Sequence, residues 1–286
     1  MSAHPFTISP PETRSSNLVF SSPHSGRDYP EAFVEGSRLD RMALRASEDV
    51  LVDRLFSDAP LHGAPLIAAH LPRAWLDLNR APSELDPALI DGVEPQGLNQ
   101  RVAAGLGVIP RVVAEGAEIY NGRIGLAEAR DRIQRFHEPF HGMLDRLLKD
   151  ARELFGSAIL FDCHSMPSEA LRAAPRVRGR NPDIVLGDRF GAAASRATVA
   201  YTQAAFERAG FAVARNAPFA GGYITQRYGR PSRGIEAVQI EINRALYLDT
   251  ERLVPGPDFE AVRDRIGQVI AELSRLTPEA AALAAE

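Results

Sequence analysis

The chain has 286 residues, 45% hydrophobic and 24% charged, with 33 Lys+Arg against 37 Asp+Glu for a net charge of −4. This is the composition of a globular protein rather than a disordered one, and the dispersed, faintly acidic charge argues against affinity driven by nucleic-acid phosphates. The single cysteine, Cys163, excludes an internal disulfide framework and a Cys-rich structural zinc site, and fits a reducing cytoplasm.

The first residues, MSAHPFTISPPETRSS, lack the basic start and apolar core of a secretory signal. No apolar run approaches the ~20 residues that span a bilayer. Leu18–Phe20 reads as a strand ending at the turn Ser22-Pro23-His24-Ser25-Gly26. Leu39–Leu55 places its apolar residues at loosely helical spacings. Residues 65–69 read as a second strand, followed by Asp77-Leu78-Asn79-Arg80, and 83–99 as a long loop. Leu126–Leu154 is the longest helical pattern, and Pro139 is expected to interrupt or kink it. Ser157–Asp162 is a buried-strand pattern, with Cys163-His164-Ser165-Met166-Pro167 read as a turn after it. Residues 172–188 look like a basic loop, 190–209 like a helix capped by Gly210, and 211–214 like a strand. Glu236–Ile242 alternates as a strand, Glu260–Leu276 is an amphipathic helix, and 277–286 is an Ala-rich tail.

Strands separated by long helical patterns imply an α/β fold with a largely parallel or mixed sheet. With no internal repeat or low-complexity linker, one domain over 1–286 is expected. In open α/β sheets ligands sit beyond the carboxyl ends of the strands. Those ends carry His24, Asp77–Arg80 and Asp162–Ser165. Two histidines and a carboxylate from Glu48 or Asp49 would make a catalytic zinc site with one open position. Glu241 is an acid inside an apolar strand, on the face opposite Val238, Ile240 and Ile242, where a general base for metal-assisted hydrolysis belongs. Arg80 offers a planar fork for a carboxylate. His137 and His141 lie four apart, a spacing that suits either a metal pair or a helix–core boundary. His164 follows Cys163 directly, but adjacent side chains on a strand diverge, which speaks against a Cys–His catalytic pair.

Ser22–Gly26, Ser47-Glu48-Asp49, Asp77–Arg80, Asp162–Ser165, Gly221-Gly222-Tyr223-Ile224-Thr225 and Gln239–Tyr247 together resemble the N-formylglutamate amidohydrolase (deformylase) family, in order, over roughly residues 15 to 275. The resemblance implies a zinc carboxypeptidase-like α/β fold, a mixed sheet between helical layers. It implies one zinc ion (manganese, cobalt or iron as alternatives) on His24, Asp49 and His164, with Glu48 as the alternate carboxylate. It implies Glu241 as general base and Arg80 as the other catalytic-site residue. Asn79 and Arg80, with Arg176, Arg178 and Arg180 and with Tyr223 of the 221–225 motif, are the expected substrate-binding residues. The implied reaction releases formate from N-formyl-L-glutamate or a close N-acyl amino acid, as in histidine degradation. A carboxypeptidase-like or other deacylating zinc hydrolase is the alternative, and a non-catalytic binder of acidic metabolites a more distant one. The expected partner is a small anionic substrate, with neither nucleic acid nor membrane.

Overall fold

The structure, a computed structural model, describes residues 4–95, 97, 99–113 and 116–276. The tail expected over 277–286 lies outside the described residues. Seven strands form one sheet: β1 (Phe6–Ser9), β2 (Leu18–Ser22), β3 (Leu66–Ala69), β4 (Ala158–Met166), β5 (Ile184–Gly187), β6 (Val213–Arg215) and β7 (Ile235–Asn243). Their spatial order is β1-β3-β2-β4-β7-β5-β6. β2/β4, β4/β7 and β5/β6 pair parallel, whereas β5/β7 pair antiparallel. The mixed α/β architecture expected from the sequence is therefore present.

Contacts divide the chain into two compact units, each built from separated segments. The second comprises Ile8–Ser22, Asp49–Ile67 and the chain from Asp145 onward. Its sheet has two chemically different faces because side chains alternate along each strand. Leu18, Phe20, Ile159, Phe161, Cys163, Ile184, Leu186, Val238, Ile240 and Ile242 point to one face and join a single hydrophobic core. Helices Val52–Leu55, α2 (Arg196–Arg208) and α3 (Phe259–Leu273) supply residues to that core, including Leu55, Phe206, Phe259 and Ile266. Cys163 is fully buried there, and burial pushes its thiol pKa well up. The opposite face carries Asp162 and His164 on β4 and Gln239 and Glu241 on β7, all buried.

Gly187 on β5 shows how closely a loop rides over that second face. A Cβ there would sit 2.7 Å from the Ala220 carbonyl carbon and 2.8 Å from the Gly221 nitrogen. Gly187→Ala is expected to push residues 220–222 outward and cost about 1–3 kcal/mol of stability, read by urea or thermal unfolding. An unchanged midpoint would contradict the close approach.

The first unit comprises the chain up to Thr7, Pro23–Glu48 and Ala68–Leu144. Trp75 stacks edge-on against Phe136, at 5.0 Å between centroids, and lies 4.7 Å beneath the buried Arg132 guanidinium, which also donates to the Trp75 carbonyl.

Several elements differ from expectation. Residues 39–55 are not one helical stretch. They form helices Arg41–Arg45 and Val52–Leu55 separated by a turn in which Leu51 takes φ 62°, and that turn carries Glu48 and Asp49. Such a backbone costs on the order of 1–3 kcal/mol for a side-chain-bearing residue, and it marks a place the surrounding structure must hold. Pro139 does not break the long helix. The helix Leu126–Arg132 widens into a π-helical segment, Ile133–His137, and continues as α1 (Glu138–Phe155), so the wider turn absorbs the proline's missing N–H and its ring. Cys163–Met166 is not a turn but the end of β4, because β7 pairs with it as far as Met166↔Asn243. Ile184–Gly187, expected within a loop, is an interior strand. The two-residue ladder Ile90–Asp91 lies within the stretch expected as loop.

Candidate active site

In the second unit, β4 and β7 place the chemistry. In their parallel ladder Asp162 lies opposite Gln239, and His164 opposite Glu241. His164 is held between two carboxylates, with Nε2 2.9 Å from Asp162 Oδ2 and Nδ1 2.9 Å from Asp49 Oδ2. Burial opposes a charge on this ring, but Asp162 and Asp49 outweigh it and raise its pKa well above the ordinary imidazole value. Asp49 also accepts from Ser165 Oγ at 3.0 Å and from Arg244 Nη2 at 3.1 Å, while Arg244 Nε donates to Ser165 Oγ. Tyr247 Oη donates to the Val50 carbonyl, pinning the turn that carries Asp49.

Glu241 is 7% exposed and sits in an interior strand, so it is not on a wetted face. Gln239 Nε2 donates to Glu241 Oε1 at 2.7 Å, and the Gly222 N–H donates to Gln239 Oε1 at 2.8 Å. The loop riding over Gly187 thus locks the amide that orients the carboxylate.

In the first unit, His24 is the second residue past the end of β2 and is buried. Its Nε2 lies 2.8 Å from Asp77 Oδ1, while Arg73 Nε lies 3.0 Å from Asp77 Oδ2. Burial alone would raise the Asp77 pKa, but Arg73, His24 and Arg80 overcome it and hold the carboxyl well below its usual range. The neighbouring Gly26 packs directly on backbone, since a Cβ there would fall 2.0 Å from the Leu71 carbonyl oxygen. Glu48 accepts from Tyr29 Oη at 2.6 Å and pairs with Arg45 Nε at 3.1 Å.

Among the described residues, His24, Asp49 and His164 are the set of buried side chains that could hold a metal ion. The donor chemistry fits one. Each histidine has Nε2 against a carboxylate, Asp77 for His24 and Asp162 for His164. A proton held on Nε2 by its carboxylate leaves Nδ1 as the ligand atom, as in carboxylate–histidine–metal triads. In His164, where Nδ1 itself faces Asp49 Oδ2, an ion would take the place of the Nδ1 proton.

A family model described as N-formylglutamate amidohydrolase matches residues 16–248. The chain belongs to this family. It is 31% identical over 239 residues to an N-formylglutamate deformylase of Pseudomonas aeruginosa, covering 82% of this chain and 83% of that one. It is 32% identical over 237 residues to a protein of the same name from Pseudomonas putida, covering 81% and 82%. The crystal structure of N-formylglutamate amidohydrolase from Ralstonia eutropha superposes with a TM-score of 0.88 at 32% identity, covering 94% of this chain and 97% of the other. The membership agrees with the resemblance seen in the six motifs, and the family name describes amide hydrolysis.

The amidohydrolase's expected substrate-binding residues fall into two groups. Arg80 is buried, its Nε donating to the Leu106 carbonyl at 3.0 Å and its Nη1 to the Asn79 carbonyl at 2.8 Å. Its Nη2 makes no hydrogen bond among the described residues. Asn79 is also buried, its N–H donating to Asp77 Oδ1. By contrast Arg176, Arg178 and Arg180 lie on an exposed turn, where Arg176 donates to Gly179 and Arg180 pairs with Asp183. Tyr223 starts a short helix, and its Oη accepts from Arg227 Nη1. Sequence reading assigned no role to Asp77, Asp162, Gln239 or Arg244 individually, although all four sit inside the six motifs. No helix among the described residues is long and apolar enough to cross a membrane.

Proposed function

We propose that this protein hydrolyses N-formyl-L-glutamate to formate and L-glutamate, using one divalent metal ion held by His24, Asp49 and His164. The observation that carries the reading is the register of His164 and Glu241, side by side on the buried polar face of β4 and β7, in a chain of this family. The His₂-carboxylate set favours zinc, in a zinc carboxypeptidase-like arrangement. When bound, the ion lowers the pKa of a water molecule and polarises the formyl oxygen.

The chain's own residues supply the remainder. Glu241, aimed by Gln239, takes the proton of the attacking water and passes it to the leaving amine. The Arg244 guanidinium beside Asp49 is the cation that stabilises the developing oxyanion. Arg80 offers its Nη2 edge to a substrate carboxylate, with Asn79 completing that end of the site. Arg176, Arg178 and Arg180 add a basic field that draws in a dicarboxylate.

Metal-loaded protein incubated with N-formyl-L-glutamate is expected to release formate. N-acetyl-L-glutamate and dipeptides, run in parallel, should be turned over at a lower kcat/KM. No formate with zinc, cobalt or manganese overturns the substrate assignment, and a clear preference for a dipeptide replaces it with a peptidase.

A further inference from the structure

His137 and His141 take no part in the chemistry above, yet both are buried. They lie one turn apart where the π-helical segment runs into α1, with ring centroids 4.3 Å apart. His137 Nε2 lies 2.9 Å from the Arg80 carbonyl oxygen, and His141 Nε2 lies 2.9 Å from that of Leu78. A carbonyl only accepts, so both rings carry their proton on Nε2. The carbonyl between these two, that of Asn79, accepts from Arg80 Nη1. Three successive carbonyls of an irregular turn, with neither helix nor sheet to hold them, thus each have a dedicated donor.

We propose that the His137–His141 pair is a clamp that positions Arg80 for the substrate carboxylate. The proposal rests on the reading of Arg80 given above. The two rings pack as one block and grip the backbone on both sides of the Asn79 carbonyl to which the guanidinium is tied. Displacing that backbone displaces the fork. Misplacement of a binding group by about 1 Å can cost on the order of 10²-fold in catalytic efficiency. Neither histidine touches the reacting atoms, so the clamp acts on binding rather than on the chemical step.

The test uses the metal-loaded enzyme. Phenylalanine keeps the ring shape without the donor, and glutamine keeps an Nε2–H. His137→Phe and His141→Phe are expected to raise KM about tenfold or more with kcat within about threefold. His137→Gln and His141→Gln should recover most of the loss. In an Arg80→Ala background His137→Phe should add less than about twofold, because its effect runs through Arg80. Calorimetric binding of L-glutamate gives the same comparisons without turnover. If either Phe variant fails to fold, the corresponding Asn variant, which withdraws the donor but stays polar, replaces it. If Arg80→Ala itself leaves KM and glutamate affinity unchanged, the reading of Arg80 falls and the clamp with it. If Arg80→Ala weakens binding but the histidine variants lower kcat instead, or add in full to Arg80→Ala, the clamp is overturned and the reading of Arg80 stands.

Discussion

Glu241→Gln is expected to lower kcat/KM for N-formyl-L-glutamate by about 10²–10⁴-fold, the span general acid–base catalysis contributes, while metal content and thermal stability hold. The substitution is nearly isosteric and keeps an Oε1 that can accept from Gln239, whose bond to Glu241 is 2.7 Å long. It removes only the ability to take a proton. Because Glu241 is buried in an interior strand, bulk water cannot readily stand in for it. Glu241→Asp should fall in between, since shortening by a methylene draws the carboxylate back by about 1 Å, a displacement that itself costs on the order of 10²-fold. Steady-state kinetics with elemental analysis of the same preparations checks both variants. Undiminished turnover in Glu241→Gln would remove Glu241 from the mechanism.

The second large effect concerns metal retention. His24→Ala and His164→Ala should each lose the bound ion on dialysis and lose formate release with it, as elemental analysis would show. The wild-type protein should also bind metal more tightly as pH rises. His164 in the metal-free protein holds its proton well above the usual imidazole range because Asp162 and Asp49 outweigh burial, and the incoming ion must expel that proton. One proton released per ion gives about tenfold in affinity per pH unit until His164 deprotonates by itself. The linkage has a definite sign for the metal-free fold. A raised folded-state pKa contributes stability that is fully present below the unfolded value and is lost as pH rises through the folded value. Metal-free protein should therefore lose this contribution on the alkaline side, whereas metal-loaded protein should not. A pH-independent metal affinity, or full activity in a metal-free His164→Ala protein, contradicts the proposed ligand set.

Legibility in the sequence followed the local character of each signal. β2 and β7 could be read because apolar runs and strict alternation are properties of a few neighbouring residues. The same alternation correctly put Glu241 and Gln239 opposite Val238, Ile240 and Ile242. The end of β4 is hidden because Cys-His-Ser-Met looks polar and turn-like in isolation. Only its pairing with β7 makes it strand, and polar residues buried on one face of an interior strand have no local signature. β5 was hidden by basic neighbours and is short, so its place inside the sheet is a tertiary fact. Asp162 opposite Gln239, Asp77 behind His24 and Arg244 against Asp49 depend on register and long-range packing, which no spacing rule encodes. The four-residue step of His137 and His141 is visible in the sequence, but what they grip lies about 60 residues away in the chain, at Leu78 and Arg80.

The solitary Trp75 and the solitary Cys163 lie in different compact units, and this gives the molecule two independent reporters. The indole, stacked under a guanidinium in the first unit, emits from an environment that is lost when that unit opens. The thiol, sealed in the apolar core of the second, becomes reactive to alkylating reagents only when that core is breached. Fluorescence and thiol labelling followed along one unfolding ramp would therefore report the cooperativity of the two units without any introduced probe.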